Sequence, residues 1–272
     1  MSSARTVRRR LLRVGEGVVQ WRGDDVVAEE PLEIRIGGMP VAVTMRTPGN
    51  DFELANGFLL TEGLVQRPEQ VRSMQTCAWK SSGELNVVDA VLSDDAPRFD
   101  ASQARSFYTT SSCGLCGKAS IEAIRTRAQW EVRDDPLRVS AAMLRSLPAR
   151  LRDAQRLFER TGGLHAAGVF DAQGSAVCVR EDVGRHNAVD KVIGWAAIER
   201  RLPLRSHLLA VSGRASFELV QKALMAGIPL LAAVSAPSSL ALELAEESGM
   251  TVAGFIRDGG MNVYTGAQRV EP

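Results

Sequence analysis

A layered α/β fold with an additional N-terminal α+β portion is what this sequence predicts. Three observations carry the prediction. Beyond about residue 160, short apolar runs alternate with helical patterns, as strands and helices do in a layered α/β sheet. The first third carries period-two alternation on both sides of a glycine pair, followed by a single helical stretch. The chain has 272 residues, 45% of them hydrophobic, enough for a substantial core in one large domain or two smaller ones.

The elements follow in order. Residues 5–13 contain Arg5, Arg8, Arg9, Arg10 and Arg13 without an acid, which reads first as a frayed, solvated terminus and second as a partner-binding arm. "PLEIRIGGMPVAVTM" alternates around Gly37 and Gly38 and predicts a β-hairpin. "TPGNDFELANGFLLTEG" supplies Asn50 or Asp51 as a helix cap, Glu53 in the first turn and Gly63 as the stop. Strands are expected in "VRSMQTCAWK", "ELNVVDAVL" and "ARSFYTT". From Ser140, Leu144, Leu147, Leu151, Ala154 and Phe158 recur at helical spacing, with Pro148 marking a break or a late start.

After Gly162 and Gly163 the strand candidates are "AAGVF", "AVCVR", "HLLAVS", "PLLAAVS" and "TVAGFI", the first two as an adjacent hairpin. Helices are expected over 187–200, 216–226 and 239–248. The polar, turn-rich "RAQWEVRDDPLRVS" sets a boundary between an N-terminal α+β portion, residues 1–135, and an α/β portion, residues 136–272.

Charge narrows the function classes. Lys plus Arg total 33 and Asp plus Glu 32, so general basicity offers no grip on nucleic acid. No stretch reaches the roughly 18 uncharged apolar residues of a membrane span, and no apolar signal core follows the basic start. A cytoplasmic location without membrane insertion is expected, and there the four cysteines stay reduced and available for chemistry.

"TTSSCGLCGKASIE", residues 109–122, places Cys113 and Cys116 at CxxC spacing. Structural zinc needs four N or S ligands, yet there is no second CxxC, and Cys77, Cys178 and the three histidines show no finger spacing; no structural zinc is expected. Dithiol exchange would use a thiolate whose pKa is lowered at a strand-to-helix position. Sulfur carriage would use the same thiolate to hold a persulfide, with Gly114 and Gly117 letting the backbone turn closely and Lys118 favouring the anion. Two small residues buried at a tight turn satisfy the spacing as well. Spacing alone leaves these readings open.

Later motifs suit an anion. "EDVGRHNAVDK" sets Glu181, Asp182, Arg185, His186 and Asn187 at a strand-to-helix transition. Arg185 has a rigid donor fork, a helix start exposes N–H groups, His186 can exchange protons, and Asn187 serves equally as a cap. Asp190 and Lys191 read as a local surface pair. "SGRASFELVQKA" repeats the pattern, with Ser212 and Gly213 in the turn, Arg214 as an anion clamp and Ser216 as a cap. Phe217, Val220 and Leu224 form its buried face, and Glu218 and Lys222 are spaced as an i,i+4 pair. In "VSAPSSLA", Ser235, Ser238 and Ser239 offer polar contacts, while Pro237 is also an ordinary helix entry. Loops that follow successive strands are expected to meet in one crevice at the sheet edge.

Taken together, "SSCGLCG", "EDVGRHNAVDKVIG", "SGRASFELVQKA" and "AVSAPSSLA", in that order, and the earlier "DFELANGFLLTEG" resemble the formate dehydrogenase accessory sulfurtransferase family. The resemblance implies a cytidine-deaminase-like fold and transfer of sulfur from a cysteine desulfurase to the molybdenum cofactor of formate dehydrogenase. By it, Cys113 forms the persulfide and Cys116 assists or resolves it. The crevice would hold molybdopterin or its guanine dinucleotide form through Arg185, His186, Asn187, Ser212, Gly213, Arg214 and Ser235. The "FIRDGG" loop of Phe255, Ile256, Arg257, Asp258, Gly259 and Gly260 would complete it, and a homodimer is implied. Deamination itself is disfavoured, because the required HxE and PCxxC constellation is absent. A noncatalytic cofactor chaperone and a generic dithiol oxidoreductase remain the alternatives.

Overall fold

The computed structural model describes residues 4–77, 86–99 and 128–272. The expected strand "ARSFYTT" and the Cys113–Cys116 motif lie outside the described residues.

The basic start is a strand and not a frayed terminus. β1 (Thr6–Gly15) pairs antiparallel with β2 (Val18–Val27), from Thr6 opposite Val27 to Gly15 opposite Val18. Gly17 takes the left-handed φ of 71° that this two-residue turn requires. The acids missing from residues 5–13 stand on the other strand, with Arg8 opposite Asp25 and Arg9 opposite Asp24. A window along one strand does not see them. Arg10 also lies over the Trp21 ring, 4.9 Å from its centroid.

The predicted hairpin around Gly37 and Gly38 forms as β3 (Glu30–Ile36) and β4 (Met39–Arg46). With β5 (Val71–Cys77) and β6 (Val87–Leu92) it builds a four-stranded sheet in the order β4-β3-β6-β5. Between β4 and β5 runs α1 (Asp51–Thr61), entered through Asn50 at a φ of 59°; the Asn50 side chain makes no capping bond and accepts from Arg5 instead, at 3.2 Å.

β7 (Val139–Ser140) leads into α2 (Ala141–Asp153), where the Ser140 hydroxyl accepts from the Met143 amide at 3.1 Å. Pro148 sits inside this helix and neither starts nor breaks it. Leu144, Leu147 and Leu151 are buried on one face, and their packing outweighs the hydrogen bond that proline removes. The break comes later, before α3 (Arg156–Thr161), so Ala154 and Phe158 belong outside the α2 stripe.

The remainder builds a six-stranded sheet from β8 (His165–Phe170), β9 (Ala176–Asp182), β10 (Leu208–Val211), β11 (Leu230–Ala233), β12 (Thr251–Arg257) and β13 (Gly260–Thr265). Its order is β13-β12-β11-β10-β8-β9. β10, β11 and β12 run parallel, β8 runs against β10, and β9 against β8. β9 through β12 therefore all end at one edge, where β8 begins. Between them lie α4 (Arg185–Ile198), α5 (Phe217–Met225) and α6 (Ser239–Ser248), close to the expected helices; a short β14 (Val270–Glu271) pairs with β7 near the end of the chain.

Both sheet faces are covered, which is why β10 and β11 are buried along their whole length. Leu208, Ala210 and Leu230 pack with α2 residues, whereas Leu209, Val211 and Leu231 join α4, α5 and residues of α1 and β3 in one continuous core. The arrangement is α/β.

α1 and α4 cross at backbone contact. A Cβ on Gly57 would overlap the Asp190 carbonyl, and one on Gly194 the Glu53 carbonyl. Only glycine at both crossing points allows that approach. The predicted surface pair Asp190–Lys191 and the predicted i,i+4 pair Glu218–Lys222 are both rearranged at this joint. Asp190 and Lys191 point apart and both are buried, Asp190 meeting Lys222 at 3.0 Å and Lys191 meeting Asp182 at 2.6 Å. Lys222 thus bonds Asp190, Glu62 and Thr61 instead of Glu218.

Candidate anion-binding site at the strand edge

Three helices start at the edge where β9, β10 and β11 end, with Gly184, Ser216 and Ser238 as their first flanking residues. The positive ends of three helix dipoles and their free N–H groups therefore face one region. Two of the entering loops are joined side by side. Ala215 bridges Pro237, the Ala215 amide donates to the Ala236 carbonyl at 3.2 Å, and the Ser238 amide donates to the Ala215 carbonyl at 3.0 Å. Ser238 caps α6 through the Ala241 amide at 3.3 Å.

Several predicted residues come together here. Gly213 lies against Arg185 and His165: a Cβ at Gly213 would stand 3.7 Å from Arg185 Cδ and 3.6 Å from His165 Nδ1. The Ser235 amide donates to the Gly213 carbonyl at 3.4 Å, and the Phe255 amide donates to the Ser235 carbonyl at 3.2 Å. Arg185, Gly213, Ser235 and Phe255 thus form a continuous row along the edge. Phe255 has a φ of 53°, an uncommon conformation for a bulky residue, and it sits where the β12–β13 register shifts. The residue is 38% exposed.

Other predicted residues face elsewhere. Ile256 is buried in the core beneath α2, so its side chain faces away from the edge. Arg257 and Gly260 pair across a hairpin turn containing Asp258 and Gly259, which makes "FIRDGG" a strand end and turn. Arg214 is exposed beside this row. Asn187 lies within the first turn of α4 and points inward: it accepts from Thr44 Oγ1 at 3.1 Å and donates to the Met45 carbonyl at 2.8 Å and to Asp182 at 3.0 Å. Its side chain holds the turn and does not face the edge.

The electrostatics favour a negative guest. Arg185 Nε and His186 Nε2 are buried atoms that make no hydrogen bond to the described residues, and the Arg185 N–H is a donor that an anion at this edge would satisfy. The nearest acid, Glu218, has its carboxylate oxygen 3.8 Å from His186 Nε2, and His186 holds Glu218 down to about 2. His165, the first residue of β8, was among the scattered histidines of the sequence and carried no local signal. Sheet order brings it to this edge, where its Nδ1 is 3.4 Å from Ser212 Oγ. Burial, followed by the Arg185 and His186 charges, pushes its pKa below the usual histidine range, so the ring is neutral at pH 7. Ser212 Oγ accepts from the Ala166 amide at 2.9 Å, fixing the hydroxyl beside the ring. Among the described residues no group of three or more His, Cys, Asp and Glu side chains is placed to hold a metal.

A six-stranded mixed sheet with helices on both faces, three of them starting at one strand edge beside Arg185 and His186, makes this an α/β protein whose predicted loops gather on one side of the sheet. Residues 27–271 match the FdhD/NarQ family, and the chain belongs to that family. It is 56% identical to the sulfur carrier protein FdhD of Mycolicibacterium paratuberculosis over 97% of this chain and 98% of that one. It is 55% identical to that of Streptomyces avermitilis, over 97% and 95%, and 39% identical to that of Sulfolobus acidocaldarius, over 96% and 97%. The fold is also that of a crystal structure assigned as a formate dehydrogenase accessory protein from Desulfotalea psychrophila, with a TM-score of 0.77 at 24% identity over 98% of this chain and 100% of that one.

Proposed function

We propose that this chain is a sulfur carrier that takes sulfane sulfur onto Cys113 and delivers it to the molybdenum cofactor that formate dehydrogenase uses. Its family membership supports the carrier and sulfurtransferase activity. In the loading step the Cys113 thiolate attacks the outer sulfur of a cysteine desulfurase persulfide. The donor's S–S bond breaks, the desulfurase thiolate leaves, and a new S–S bond forms on Cys113. Cys116 lies close enough in sequence to resolve the product as a disulfide.

The observation that carries the acceptor side is the buried Arg185 Nε, which has no hydrogen-bond partner among the described residues, beside His186 at one of three helix starts. Phosphates of molybdopterin, or of its guanine dinucleotide form, fit that donor set. Gly213 keeps the space between Arg185 and His165 free of a side chain. Arg214 and Arg257, both exposed near the edge, would add positive charge, and the row from Gly213 through Ser235 to Phe255 would form the floor.

The test is intact-mass analysis after incubation with cysteine desulfurase and cysteine. A one-sulfur increment is expected, lost in C113A and retained in C178A, because burial pushes the Cys178 thiol up to about 12 and leaves it without thiolate at neutral pH. Cofactor binding without any sulfur increment on the wild-type chain would turn the assignment to a noncatalytic chaperone.

A further inference from the structure

The turn that presents Arg185 and His186 is held by groups that do not themselves reach the edge. Asp182, fully buried, accepts three hydrogen bonds and forms one ion pair. Its Oδ1 takes the Gly184 amide at 2.9 Å and Asn187 Nδ2 at 3.0 Å; its Oδ2 takes the Thr47 amide at 3.1 Å and pairs with Lys191 Nζ at 2.6 Å. Both oxygens are therefore used on both sides, which is the full capacity of a carboxylate.

Thr47 is the second half of the device. It lies just past the end of β4 and is 1% exposed. Its hydroxyl accepts from the Val183 amide at 3.1 Å, its carbonyl from Lys191 Nζ at 2.8 Å, and its own amide binds Asp182. Three bonds thus tie a loop of the four-stranded sheet to the turn between β9 and α4. Asn187 adds its bonds to Thr44 and Met45.

The geometry points to Asp182, Thr47 and Lys191 as positioning residues for the anion site: they set the 183–184 turn and, through it, the direction of Arg185 and His186. This inference rests on the anion reading of the edge. Its physical basis is the shape of the hydrogen-bond set. An asparagine at 182 would turn an amide NH2 toward the Thr47 amide and Lys191 Nζ, donor against donor, and the turn would have to shift. A valine at 47 would remove the acceptor of the Val183 amide at nearly unchanged volume.

The experiment measures binding of inorganic pyrophosphate by calorimetry to the full chain. R185A loses binding. T47V and the double variant D182N/K191M, which leaves no buried unpaired charge, bind about tenfold more weakly, as expected when donors beside a ligand are displaced. T47S stays within about twofold of wild type. Circular dichroism and the thermal midpoint confirm that D182N/K191M is folded. A role in folding alone predicts that binding recovers together with stability in the double variant. Wild-type affinity in both T47V and D182N/K191M, with R185A still defective, overturns the inference. A wild-type chain that takes up no pyrophosphate overturns the anion reading and this inference with it, whereas sulfur loading of Cys113 is read separately by mass.

Discussion

The β1–β2 hairpin and the α1–α4 joint carry the same kinds of charged side chain in opposite surroundings. In the hairpin, Arg8 and Asp25 pair at 3.1 Å with side chains 68% and 26% exposed. At the joint, Lys191 and Asp182 pair at 2.6 Å with side chains 2% and 0% exposed. Water and salt screen the first pair, and forming it orders a long side chain for little gain. The second has lost its hydration, so each charge depends on its partner and on every remaining hydrogen bond. The hairpin can therefore vary with little consequence for folding, while the joint fixes how the two sheets meet and where α4 begins.

The comparison can be broken most forcefully at Lys222. Replacing it by methionine leaves Asp190 and Glu62 facing each other without their cation, and Asp190 is buried. A loss of about 3–5 kcal/mol is expected in urea unfolding, with much of it recovered in K222M/D190N; equal stability of K222M and wild type would contradict the account. Next comes Gly194→Ala, whose added Cβ meets the Glu53 carbonyl and must push α1 away from α4. About 3 kcal/mol of destabilisation is expected from such overpacking, read from the same unfolding curves.

A pH series on H165Q gives a smaller effect. The folded-state pKa of His165 lies below its unfolded value, so the unfolded chain takes up this proton first, and stability falls as pH drops through the usual histidine range near 6.5. Between pH 7.5 and 5.5 the variant should lose less stability than wild type; an identical slope would remove His165 from the account. R8A is expected to do least, leaving the thermal midpoint unchanged at physiological salt, and a clear drop would show that the hairpin pair is stronger than its exposure implies.

Much of the site was legible before the fold was known, for local reasons. A strand followed by glycine and a polar cap announces a turn into a helix, and that pattern located 183–187, 212–216 and 234–238, with helices beginning within about two residues of expectation. Arg185, Gly213 and Ser235 were recognisable because their chemistry and loop setting sit in the same few residues. His165 was not, since it opens a strand and reaches the edge only through β8 lying beside β10. The family resemblance places Asn187, equally readable as a cap, and Ile256 at the cofactor, yet both side chains turn inward, because their direction is settled by what packs behind the motif. The surface pair expected at 190–191 and the i,i+4 pair expected at 218–222 do not form, for the same reason: Lys191 meets Asp182, Asp190 meets Lys222, and Glu218 lies beside His186.

By itself the sequence determined the alternation of strands and helices, the family, the CxxC segment and the loops at which an anion site would be built. These are carried by short-range periodicity, backbone preference and motif spacing. Only the tertiary structure decided that β8 and β9 return beside β10, that Gly57 and Gly194 bring two helices into backbone contact, and that Asp182 holds the turn ahead of Arg185 with one carboxylate oxygen and Thr47 and Lys191 with the other. Each of those depends on groups far apart in the chain and on which charges lose their water, and burial is a property of the assembled fold rather than of any segment within it.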